Sequence, residues 1–261
     1  LIIFWFFIFV IGAVFGSFFN VLIYRIPIKK SIIFPASFCP NCKKPIKWYD
    51  NLPIISYLIL KGRCRYCKEK ISLFYPIVET ITGFLFLIVF WKTGINILSL
   101  VYIIIFSSLL VNSFIDLKTK NIYISLFIFP SLLYVLYALF IEFNIFSNFW
   151  LFPSTYISLK ESITGFLTGA IFFFIIRFFG GKILKKEGMG EGDIYVAAFI
   201  GLFIGFPYIF FVFIFAGIFG IIFYYTYYKD KDDKVIPFVP FLSLSSFFIF
   251  LILDFIKRLY L

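Results

Sequence analysis

The stretch Gly188-Met189-Gly190-Glu191-Gly192-Asp193 stands between two long apolar runs, Ser162–Phe179 before it and Asp193–Tyr228 after it. A second aspartate, Asp116, closes another apolar run, Ile95–Ile115. A carboxylate at a membrane boundary is expensive unless something satisfies or uses it. Glycines at 188, 190 and 192 let the backbone unwind or approach a neighbour closely. These two acidic stops, and the apolar runs they punctuate, set the architecture and the candidate chemistry.

Working outward, the apolar runs recur along the whole chain. With 62% hydrophobic residues and a mean hydropathy of +1.04, the sequence has too much apolar surface for a water-soluble fold to hide. Several runs approach the roughly 20 residues that cross a bilayer core. The spans fall at about 1–23, 76–91, 95–115, 122–141 and 162–179, then in the run from 193 to 228, and last at 235–256. A single helix from Asp193 to Tyr228 would be about 50 Å long at 1.5 Å per residue. That run therefore breaks at Gly205-Phe206-Pro207 into a short sixth span and a seventh. The linker Asp116–Asn121 is short enough to force spans three and four into an antiparallel hairpin. The first segment lacks a basic leader region and a small-residue cleavage site, so it reads as a retained span.

The expected fold is an all-α polytopic membrane protein of about eight transmembrane helices with a small cytoplasmic insert. Its parts are a first helix (1–23), the insert (24–75) and a seven-helix core (76–261). Net charge is +11. With the insert in the cytoplasm, twenty of the 24 basic residues fall on the cytoplasmic side, the asymmetry of the positive-inside rule. Asp116 and Asp193 then share one side. Because the basic residues lie between apolar runs, they point to loops and anionic lipid, not to nucleic acid. Lys182, Lys185 and Lys186 read as topology determinants or lipid contacts.

The chain has no histidine. That excludes a Ser-His-Asp triad, a HExxH metalloprotease and any zinc site that uses imidazole. All four cysteines lie in the insert, as Cys39-x-x-Cys42 and Cys64-x-x-Cys67 separated by 21 residues. This spacing suits a tetrahedral four-thiolate zinc site. A reducing cytoplasm disfavours the disulfide alternative. Four thiolates leave no open coordination position, so the zinc is expected to be structural, folding an insert with little core of its own.

Within the first span, Gly16 and Ser17 allow close helix contact, and Asn20 needs a partner inside the bundle. Glu79, near the start of the second span, could serve the site or simply snorkel to the interface. Spacing alone balances two readings of Asp116 and Asp193. One is interfacial capping, for which Asp193 is well placed as an N-cap. The other is hydrolysis of a peptide bond without a covalent intermediate. An ionised aspartate takes a proton from water and a protonated one polarises the scissile carbonyl. Two like charges held close cannot both ionise cheaply, so such a pair titrates as a unit.

Together these residues resemble the bacterial type IV prepilin peptidase family. The resemblance runs through Gly16-Ser17-Phe18-Phe19-Asn20-Val21 with Arg25-Ile26-Pro27, and the double Cys-x-x-Cys insert with Trp48, Asn51-Leu52-Pro53 and Lys61-Gly62-Arg63-Cys64. It continues through Tyr75-Pro76-Ile77-Val78-Glu79 and Thr82-Gly83, Asp116, Gly190-Glu191-Gly192-Asp193, and Ile236-Pro237-Phe238 with Pro240-Phe241. Three positions depart from the family pattern: Tyr123 in place of proline, Tyr195 in place of lysine and Val239 in place of glycine. The resemblance implies that Asp116 and Asp193 are catalytic, with Gly190, Gly192 and Glu79 as motif support. It implies a prepilin or pseudopilin substrate with a short basic leader, cut after a glycine at the cytoplasmic face of the inner membrane. Many family members also methylate the new N-terminus with S-adenosylmethionine, and the cysteine insert goes with that bifunctional type. Two other classes compete. A proton- or cation-coupled transporter would favour an inverted repeat, which the sequence does not display. A non-catalytic scaffold docking partners through its zinc insert would depend on the cysteines more than on the aspartates.

Overall fold

The computed structural model describes residues 2–143, 157–184, 190–228 and 236–260. Among these the regular structure is helical, and seven helices are long and apolar enough to cross a membrane. The protein is a multi-pass membrane protein. It divides into two compact units, Leu1–Gly94 and Ile95–Leu261. Lys185, Lys186, Gly188 and Met189, and the charged turn 229–234, lie outside the described residues.

The first unit is a helix pair with an insert between its arms. Helix α1 (Ile2–Arg25) is apolar throughout and ends just before Ile26-Pro27, where proline disfavours helical geometry in the preceding residue. A short helix α2 (Ile55–Ile59) lies in the insert, and α3 (Phe74–Thr93) follows it, stopped by Gly94 at φ 76°. Helices α1 and α3 meet through small residues. A Cβ at Gly12 would sit 2.9 Å from the Gly83 Cα, and one at Gly16 would sit 2.7 Å from the Glu79 Cα. Such spacing lets helix backbones close up where lipid offers no hydrophobic drive. Along α1, Phe4, Phe7, Ile11, Val14 and Phe18 are exposed.

In the second unit α4 (Ile97–Thr119) is the most buried long helix. It starts with a reciprocal capping box, Asn96 accepting the Ser99 N–H at 2.9 Å, and ends at Lys120 in the left-handed region. Five more helices follow: α5 (Ser125–Glu142), α6 (Leu159–Leu184), α7 (Glu191–Ile204), α8 (Ile209–Phe223) and α9 (Val239–Tyr260). Helices α4 and α5 pack as the expected hairpin. Tyr102 and Phe106 of α4, Phe203 of α7 and Phe250 of α9 form the aromatic centre, with Phe106 and Phe203 edge to face at 5.5 Å.

The expected short sixth span is α7. At 14 residues it is about 21 Å long, less than the hydrocarbon thickness. Val196–Ile204 are all buried, so α7 is wrapped by protein and need not cross lipid unaided. It ends where expected, at Gly205 with φ 76°. Its fit against α6 is tight. A Cβ at Gly165 would lie 2.3 Å from the Gly201 carbonyl oxygen, and one at Gly169 would lie 2.4 Å from that of Ala197.

Candidate active site

Asp116 sits inside the last turn of α4, a turn before the helix ends and not after it as the sequence suggested. Its side chain is buried at 4% exposure. Its Oδ2 accepts the backbone N–H of Val239 at 3.2 Å. Val239 is the first residue of α9, so Asp116 caps another helix's N-terminus, where free N–H groups and the helix dipole favour a carboxylate. One turn back, the Ser113 Oγ donates to the Ser243 Oγ at 2.8 Å and holds α4 and α9 in that register.

The chain leaving Asp116 is held as firmly. The Asn112 Oδ1 accepts the Tyr123 N–H at 3.0 Å, and its Nδ2 donates to the Tyr123 carbonyl at 3.3 Å. Asn112 is itself fully buried, one helical turn before Asp116. This residue was overlooked in the sequence. An amide in an apolar run, four residues before a carboxylate, was the available signal.

Asp193 is the third residue of α7. The N-cap is Gly190; the Asp193 N–H donates to the Gly190 carbonyl at 3.3 Å, and the Asp193 carboxylate lies back beside Gly190. Asp193 therefore lies in the first turn of α7 and is not itself the N-cap. It is 8% exposed. Gly192 gives the close approach its motif promised, since a Cβ there would lie 2.4 Å from the Ile122 Cδ1. Ile122 thus packs the connection after Asp116 onto the first turn of α7. Glu191 points out and pairs with Arg177 of α6 at 2.6 Å. The two buried aspartates lie in the same unit, within electrostatic reach of each other, and Lys120 also acts on Asp116.

The four cysteines converge in the first unit. Their sulfurs lie within 4.8 Å of one another, with Cys39 to Cys67 at 3.8 Å and Cys42 to Cys64 at 4.0 Å. A tetrahedron with metal–sulfur bonds of about 2.3 Å has edges of about 3.8 Å. The cluster could hold a metal ion. The two knuckles repeat one backbone pattern. Lys43 N–H donates to the Cys39 carbonyl and Lys68 N–H to that of Cys64, with both lysines at φ 59°. Cys39 N–H donates to Lys44 and Cys64 N–H to Glu69. The backbone N–H groups of Cys67 and Tyr66 draw the Cys64 thiol down to about 6. Elsewhere in the insert Arg65 grips Asp50 in a bidentate pair and holds its carboxyl below the usual range.

Glu79 does not snorkel. It is buried in the first unit, where its Oε2 accepts the Ile54 N–H at 2.7 Å. Asn20 finds one partner, donating to the Tyr75 carbonyl at 3.1 Å. Arg25, also buried, donates to the carbonyls of Ser31 at 2.9 Å and Pro35 at 2.7 Å.

Comparison with known proteins places this geometry. Residues 10–93 match the bacterial peptidase A24 N-terminal domain and residues 103–225 match the type IV leader peptidase family. A prepilin leader peptidase/N-methyltransferase of Klebsiella pneumoniae is 34% identical over 76% of this chain and 84% of its own length. A type 4 prepilin-like proteins leader peptide-processing enzyme of Escherichia coli is 31% identical over 90% and 89%. A Myxococcus xanthus relative with the Klebsiella protein's name is 33% identical over 76% of this chain, which spans 55% of that relative's length. No solved structure matches the chain. The family models cover both compact units, and the chain belongs to the type IV leader peptidase family.

Proposed function

We propose that this protein is a membrane-embedded aspartic endopeptidase that removes the short basic leader of a type IV prepilin or pseudopilin. Cleavage follows a glycine at the cytoplasmic face of the inner membrane, and the new N-terminus is then methylated. The observation that carries the peptidase assignment is the pair Asp116 and Asp193. Both are buried in one unit, Asp116 accepts the Val239 N–H, and the charge of Asp193 acts on Asp116. Such a pair can share a proton between its members. The ionised carboxylate takes a proton from water as the water oxygen attacks the scissile carbonyl carbon. The protonated one donates to the carbonyl oxygen. Collapse of the tetrahedral adduct breaks the C–N bond, and the amine leaves with a proton. The Val239 N–H holds the Asp116 carboxylate in place without providing a countercharge.

The cysteine cluster is assigned to structural zinc on its donor chemistry and its sulfur spacing, and it stands apart from hydrolysis. Cys39, Cys42, Cys64 and Cys67 would hold the ion, closing both knuckles of an insert in which, of residues 26–73, only Cys39 and Gly62 are buried. The relatives' names include an N-methyltransferase activity, for which the family resemblance implies S-adenosylmethionine as the methyl donor. The basic loops contact anionic lipid.

The test is cleavage of a prepilin by the reconstituted protein, read by mass spectrometry. Wild type removes a leader-sized mass. Asp116→Asn and Asp193→Asn each lose at least about a thousandfold in rate, the upper range for general acid–base groups. Near wild-type cleavage by either folded variant removes the assignment.

A further inference from the structure

The insert leaves α1 through Lys29-Lys30-Ser31-Ile32-Ile33-Phe34-Pro35-Ala36, two lysines followed by a stretch without charge. The turn after α1 sends this loop back along the helix it has just left. Lys29 takes φ 53°, its N–H donates to the Ile26 carbonyl, and the Lys30 N–H donates to the Arg25 carbonyl. Ile32, Ile33 and Pro35 then line a cleft against Val14, Phe18 and Val21 of α1. Val14 lies about 16 Å before the end of the helix at 1.5 Å per residue. The loop therefore runs beside a segment long and apolar enough to cross a membrane.

The tip of this loop turns its apolar side chains outward. Ile33 is 71% exposed and Phe34 76%. The main chain of the same loop is provided for from within the protein. The Ser31 Oγ accepts the N–H of Ile33 at 3.3 Å and that of Phe34 at 3.2 Å, and Pro35 has no N–H to satisfy. The buried Arg25 donates to the carbonyls of Ser31 at 2.9 Å and Pro35 at 2.7 Å. A loop facing water has no need of such provision, because water bonds its main chain and its side chains are polar. A segment that enters a bilayer needs both features, since no water there can satisfy its backbone. Lys29 and Lys30 stand exposed at the base of the tip. Their charge attracts anionic headgroups and repels a basic leader.

We propose that residues 31–36 form a wedge that enters the bilayer beside α1. Ile33 and Phe34 sit at the boundary between headgroups and acyl chains, and Lys29 and Lys30 meet the phosphates of anionic lipid. The occupant of this surface is the bilayer itself. Its apolar tip continues the exposed apolar surface of α1 at Val14 and Phe18, its charge has the sign that anionic headgroups call for, and its main chain is bonded as an apolar surrounding requires. The wedge holds the insert to the membrane at a third point, besides its covalent joins to α1 and α3. Arg25, at the last position of α1, is the positioning residue that ties the tip to the end of the span.

The experiment places the photo-reactive residue p-benzoyl-phenylalanine at position 34 of the full chain, an aromatic for an aromatic at an exposed site. The protein is held in nanodiscs of phosphatidylethanolamine and phosphatidylglycerol, with and without added prepilin, and the adducts are identified by mass spectrometry. Position 70, exposed beside Lys68 and Glu69 in the second cysteine knuckle, is the comparison. The yield of lipid adduct at position 34 exceeds that at position 70 at least about tenfold, the preference that burying one large apolar side chain confers. Ile33→Asp, in protein that elutes and melts like wild type, brings the yield at position 34 down toward that at position 70. Phosphatidylglycerol is over-represented among the adducts, and Lys29→Gln combined with Lys30→Gln returns it to its share of the bilayer. Equal yields at the two positions, or a yield undiminished in folded Ile33→Asp, overturn the wedge. Adducts to another stretch of this chain, to a second copy or to prepilin in place of lipid also overturn it, and they name the true occupant. Adducts that match the bulk bilayer in wild type overturn the role of the two lysines. Lipid adducts form whether or not the protein cleaves prepilin, so failure of the peptidase reading leaves the wedge standing, and the converse holds.

Discussion

At Asp116 the carboxylate is met by a backbone N–H from residue 239, where the family pattern has glycine and this chain has valine. The contact survives the change because it uses only the main chain. Residue 123 is the more informative departure. Its N–H donates to Asn112 at 3.0 Å, a bond that the family's proline could not make. In this chain the connection behind Asp116 is tied by a side-chain amide instead of by a ring. Asn112→Leu strips both bonds from two partly buried backbone groups, at up to about 1–3 kcal/mol each. The expected outcome is a fall in kcat for leader cleavage with full retention of metal in the cysteine cluster, read by elemental analysis. Tyr123→Pro removes one of the two bonds and should have a smaller effect of the same kind.

The helices rely on small residues where their backbones touch. Gly165 and Gly169 of α6 against Ala197 and Gly201 of α7 leave no room for a Cβ on either glycine. Gly201→Leu must push α6 away from the helix that carries Asp193. Overpacking costs about 1–3 kcal/mol even where side chains can shift, and here the obstructing atoms are backbone. The variant should lose leader cleavage and melt at lower temperature, measured by thermal denaturation in detergent. In the insert the Asp50–Arg65 pair has a definite pH sign. The folded carboxyl titrates below its ordinary range, so its contribution is present above the unfolded value and is lost as pH falls through the folded one. Insert stability attributable to the pair should be flat from about pH 6 to 8 and decline below about pH 4. Asp50→Asn should remove that acid dependence, followed by protease resistance of residues 26–73 across pH.

On the scale of the molecule, each compact unit carries its own chemistry. The cysteine cluster belongs to Leu1–Gly94, and the aspartate pair belongs to Ile95–Leu261. Two units with separate cores can lose order separately. Stripping the metal with a strong chelator should open the insert to proteolysis and leave all four cysteines open to alkylation. The helices of the second unit should stay intact, as seen by peptide mapping. Simultaneous loss of both units would show that the metal supports the whole chain.

Composition and periodicity were enough to determine that the chain lives in a membrane, roughly where each span lies, and that four thiols gather in one insert. Those properties depend on local hydropathy and on short fixed spacings, which a linear pattern records directly. The candidate pair was legible as residue types, because an aspartate in an apolar run is conspicuous. Three things were decided only by the tertiary structure. Asp116 is satisfied by the N-terminus of α9, 123 residues away in sequence. Asp193 is buried in the first turn of α7, its N–H donating to the Gly190 carbonyl. Glu79 accepts the N–H of Ile54, 25 residues away in sequence. Each contact is a bond to a main-chain group or a neighbouring helix, and its partner's identity leaves almost no trace in the sequence. Hydropathy places a carboxylate at a boundary, but only packing determines which backbone N–H it meets there.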